Sequence, residues 1–75
     1  MPDERVQIEV GFDGGQIMIA RVSVPSADEL ERKLQAGSDA VVSLEADDGH
    51  YSVALQRIVY VKRFARESRV GFGAG

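Results

Sequence analysis

From Arg5 to Phe12 the chain alternates strictly, with Val6, Ile8, Val10 and Phe12 apolar and Arg5, Gln7, Glu9 and Gly11 set between them. A period of two belongs to a strand with one buried face, so this stretch demands a sheet and something laid over it. Asp13-Gly14-Gly15 supplies residues that tolerate a tight reversal, and Gln16 to Val24 reads as the returning strand of a hairpin. That second strand breaks the simple pattern. Met18, Ala20, Val22 and Val24 fall on one side, yet Ile17 and Ile19 make the other side apolar at its start.

The only helical pattern follows. In Pro25-Ser26-Ala27-Asp28-Glu29, Ser26 is placed to cap a helix and Glu29 to reach back as a capping box. Ala27, Leu30 and Leu34 then share one stripe, Asp28, Glu31, Arg32 and Gln35 the other, and Gly37 is the expected left-handed stop. Asp28 and Glu29 are read as first-turn acids, with Arg32 and Lys33 nearer the end, in keeping with the helix dipole. Ala40 to Ala46 reads as a third strand, Asp47-Asp48-Gly49-His50 as a hairpin turn and Tyr51 to Leu55 as a fourth strand. A bend at Gln56-Arg57 and a fifth strand from Ile58 to Phe64 complete the series.

Runs of strands with one helix do not build a parallel sheet. The fold class is therefore α+β: a four- or five-stranded antiparallel sheet, in the order β-β-α-β-β(-β), with one helix packed on one face. The opposite face is not plainly polar, because Ile17, Ile19 and Val59 lie in the strands. Residues 1–64 are read as a single domain and 65–75 as a basic, Gly-rich C-terminal tail.

Size and composition narrow the function classes. A domain of roughly 60 residues buries only about 60% of its unfolded surface, so 75 residues leave room for one modest core. The absence of cysteine removes disulfide staples, thiolate metal sites and cysteine nucleophiles together, and it suits a reducing compartment. Met1-Pro2-Asp3-Glu4 is acidic and runs directly into the first strand, unlike a signal peptide, and no apolar run approaches the ~18 residues of a spanning helix. The expected location is the cytoplasm, with no membrane partner.

His50 is the sole histidine and sits beside Asp47 and Asp48. One imidazole and two turn aspartates do not make a zinc or calcium site, and the residues suit a turn for backbone reasons. No serine has a base and an orienter to activate it, and the carboxylates sit in turns or on a helix face. Gly71-Phe72-Gly73-Ala74-Gly75 has no following helix to present amides to a phosphate. These residues predict no enzyme, no metal and no cofactor.

Charge is distributed unevenly. Residues 1–61 carry eleven acids against five bases, while 62–75 carry four bases against one acid. Lys62, Arg63, Phe64, Arg66 and Arg69 thus cluster bases around an aromatic, and Val70 and Phe72 add two apolar anchors. The expected role is a small non-catalytic binding or adaptor module that works through protein contacts, including a homodimer. Its contact residues are Ile17 and Ile19 on the open face together with the segment from Lys62 to Phe72. The second expectation is a nucleic-acid or ribonucleoprotein accessory, in which the same bases meet phosphates and the aromatics stack on bases.

Val6-x-Ile8-x-Val10, Ser26-Ala27-Asp28-Glu29-Leu30, Leu44 to Gly49, Arg57-Ile58-x-Tyr60-Val61 and Arg69-Val70-Gly71-Phe72-Gly73 together resemble a family of short actinobacterial proteins known only as a domain of unknown function. The resemblance covers nearly the whole chain. It implies an α+β fold and an intracellular protein, and it carries no activity. Ala54 stands where that family's pattern has a proline, and Lys62-Arg63 stand where it has an acidic residue.

Overall fold

The computed structural model describes residues 4–65. The elements are β1 (Arg5–Phe12), β2 (Ile17–Ser23), α1 (Val24–Gln35), β3 (Val41–Ala46), β4 (Gly49–Ala54), a single 3-10 turn (Leu55–Arg57) and β5 (Ile58–Arg63). They form one antiparallel five-stranded sheet in the order β4-β3-β2-β1-β5, with the helix against one face. The expected α+β class and strand series are present, including the bend before the fifth strand.

The alternation in β1 places Ile8 and Val10 in the core at full burial, alongside Val22 of β2 and Leu44 of β3. Ala27 and Leu30 of α1 close over them, and Leu34 packs at the margin. Burying such an aliphatic side chain stabilises by roughly 1.5–3 kcal/mol, so these few residues dominate the stability of a chain this short.

The helix starts earlier than its sequence predicts. Ser23, not Ser26, is the cap: its Oγ accepts from the Ser26 N–H at 3.2 Å, and Pro25 occupies the first turn, where a missing N–H costs nothing. Asp28 and Glu29 consequently lie beyond the first turn, and Glu29 pairs forward with Arg32 and Lys33 instead of back onto a cap. Ser26 is used differently. Its Oγ accepts from the Glu45 N–H at 3.0 Å and tethers the helix start to β3. At the other end Gly37, with φ of 74°, donates to Leu34 O while Ser38 donates to Lys33 O, which satisfies the last carbonyls as a Schellman stop.

The two hairpins join narrowly. β2 and β3 share the single paired position Val22↔Ala46, supported by Asp47 N–H to Arg21 O at 3.0 Å. β1 is flanked on both sides along most of its length, by β2 from Arg5↔Ser23 to Gly11↔Ile17 and by β5 from Ile8↔Arg63 to Phe12↔Ile58.

Candidate binding face

Directly paired residues of an antiparallel ladder point to the same side of the sheet. On the side away from the helix the register therefore sets three rows across β2, β1 and β5. Ile17, Gly11 and Tyr60 form one row and Ile19, Glu9 and Lys62 the next. Arg21 and Gln7 form the third, joined by Phe64, whose N–H donates to Gln7 O at 2.9 Å.

Each row has its own chemistry. Gly11 is buried because the Tyr60 ring lies on it; a Cβ at that position would fall inside the ring. The Tyr60 hydroxyl donates to Glu9, and this bond to a carboxylate, helped by partial desolvation, raises the phenol above its ordinary value near 10. Lys62 Nζ stands 4.6 Å above the centre of the Phe64 ring, a cation–π contact between neighbours two apart on one strand face. Ile17 and Ile19 are 60% and 56% exposed and Tyr60 41%, so the face carries aliphatic and aromatic surface open to solvent.

The face changes toward its other end. Arg5 donates to Glu45 O at 2.9 Å and lies 3.6 Å from the Glu45 carboxylate and 3.5 Å from that of Asp47, while Arg21 meets Asp47 at 3.3 Å. These arginines are committed to acids on β3 and its turn.

Of the residues singled out in the sequence, Ile17, Ile19, Lys62 and Phe64 share this face. Arg63 does not. It pairs with Ile8 on the helix side, where its guanidinium reaches Asp28 at 2.8 Å and Glu31 at 3.1 Å, and those two carboxylates hold its proton more firmly. Arg66, Arg69, Val70 and Phe72 lie outside the described residues. Tyr60 belongs to the face and was missed. Its spacing of two from Lys62 and four from Phe64 gives the signal, as does Gly11, since a glycine inside a strand marks a close approach.

Around His50 the acids are already occupied. Asp47 serves Arg5 and Arg21, and Asp48 accepts from the Tyr51 hydroxyl at 2.9 Å, which raises that phenol as well. Among the described residues no group of three or more His, Asp or Glu side chains is placed to hold a metal ion, and no helix is long and apolar enough to cross a membrane. No family model matches the chain, and neither a curated protein nor a solved structure does.

Proposed function

We infer that this chain is a small non-catalytic binding module of the cytoplasm, acting through protein contacts made by the sheet face opposite the helix. The supporting observation is the exposure of Ile17, Ile19 and Tyr60 beside the Lys62–Phe64 pair on a face that the helix leaves uncovered. Apolar residues rimmed by polar and charged ones suit a protein interface, where aromatics anchor and charges set partner choice. The C-terminal residues Arg66, Arg69, Val70 and Phe72 extend the contact in this reading.

A nucleic-acid role draws on the same edge, because Tyr60 and Lys62 of β5 and Phe64 just after it put two rings and a cation on one side of the sheet. Glu9 in the centre of the face and the engagement of Arg63 by the helix weigh against it.

Affinity capture with the full chain, with and without nuclease, separates the two, using Tyr60→Ser combined with Lys62→Glu as the control. Protein should be retained after nuclease treatment and lost with the double variant. Retention that nuclease abolishes, together with binding of a fluorescent single-stranded oligonucleotide that falls steeply with salt, would favour nucleic acid instead.

A further inference from the structure

Among the described residues four stretches of sheet margin lack a strand partner, along β4, β5, the first half of β2 and the first half of β3, and they differ in kind. In an antiparallel ladder bonded and non-bonded pairs alternate. Phe12 N–H donates to Gln16 O at 2.9 Å, so Val10/Met18 and Ile8/Ala20 are also bonded pairs, and Ile17 and Ile19 turn their own N–H and C=O groups away from β1. The Arg21 carbonyl confirms the phase, since it faces outward and accepts from Asp47. β3 meets β2 only at Val22, so among the described residues the outward groups of Ile17 and Ile19 have no ladder partner.

Native edges are usually blunted by charges, prolines or bulges. The free margin of β5 has a bulge where it meets Gly11 and Phe12, and it carries Lys62 and Arg63. The margin of β4 presents Ser52 and Ala54, which are small. From Gly14 to Ala20, by contrast, there is no charge, no proline and no bulge. Val41 at the start of β3 and Val59 in β5 are exposed as well, at 65% and 66%, but each stands singly; in β2 the open backbone carries two large exposed aliphatic side chains, Ile17 and Ile19, side by side on one face.

We propose that this half of β2 pairs antiparallel with the same segment of a second copy of the chain, with Met18 on the two-fold axis. This rests on the reading of the chain as a protein-binding module and names its partner. With Met18 opposite itself, Ile17 of each copy faces Ile19 of the other, both residues offer their outward N–H and C=O, and the isoleucines form cross-strand β-branched pairs. The paired stretch runs from Gln16 to Ala20 and ends before Arg21, whose outward carbonyl is already taken by Asp47 of its own chain, so no like charges meet. Moving the axis to Ile19 would set Arg21 against Ile17. The neutrality of the segment selects the occupant: a strongly charged partner finds no complement there, whereas a second copy matches it residue for residue. The pairing is isologous and closed, as two-fold contacts are.

Light scattering across the micromolar range tests this with the full chain, Ile17→Lys and Ile19→Pro. The Ile17 side chain is exposed and the Ile19 N–H points away from β1, so both variants should retain the wild-type circular dichroism. The wild type should approach twice the 8.2 kDa of one chain, and each variant should weaken association about tenfold or more. A wild type that stays monomeric overturns the pairing. So does a dimer that survives both substitutions, or one lost only when the chain is ended at Ala65. The broader reading fails separately: a monomer that still retains a protein through Tyr60 and Lys62 sinks the pairing alone, and a dimer that captures nothing beyond itself confines the module to self-association.

Discussion

Gly11 shows how a single residue organises the open face. With no Cβ it lets the Tyr60 ring lie on the β1 backbone, and from there the hydroxyl reaches Glu9. Gly11→Ala should push the ring off while leaving the strand intact, because alanine relieves the entropic cost of glycine in a strand and offsets much of the lost ring contact. We expect a stability change within about 1 kcal/mol and a Tyr60 ionisation that drops back toward the ordinary value. The Tyr51 ionisation, set by Asp48, should not move. A raised phenol contributes stability that is fully present below the unfolded value near 10 and is lost as pH rises through the folded one. The variant should therefore lose less stability than the wild type in that alkaline window. Ultraviolet titration of the tyrosinates, beside urea unfolding at neutral and alkaline pH, reads both effects. Unchanged titration in Gly11→Ala would mean the ring does not depend on the glycine.

Elements were more legible than the way they join. The alternation of β1, the Ile17/Ile19 anomaly of β2, the Ala27–Leu30–Leu34 stripe and the Gly37 stop are local patterns, and each corresponds to the observed element. The helix start was not legible, since two serines three apart offer equivalent caps and Pro25 fits the first turn of a helix begun at Val24. The fate of Arg63 was hidden for a different reason. It depends on β5 lying beside β1, so that Arg63 stands on the side of Ile8 and meets Asp28 and Glu31, residues more than thirty positions away. Capping supplies the test at this scale. Ser23→Ala should cost about 1–2 kcal/mol, as loss of a cap does, whereas Glu29→Ala should cost a few tenths, as exposed ion pairs do. Urea midpoints that ranked the two the other way would restore Ser26 and Glu29 as the capping pair.

At the scale of the molecule, one helix covers a sheet too broad for it, and the meeting of the two hairpins at a single position leaves half of β2 with no strand on the side away from β1. Small cores often gain stability by association, and the neutral edge from Gly14 to Ala20 offers this sheet an open margin for it. The sequence exposed the apolar outer side of β2, but the open backbone beside it emerges only from the register of β2 against β3. Amide hydrogen exchange, followed residue by residue as concentration rises, measures that backbone directly. Pairing predicts that the Ile17 and Ile19 amides exchange rapidly in dilute solution and become protected as the protein is concentrated, in step with the rise in mass, while Met18 and Ala20, already bonded to β1, change little. Ile17 and Ile19 amides that stay equally fast at every concentration would contradict it.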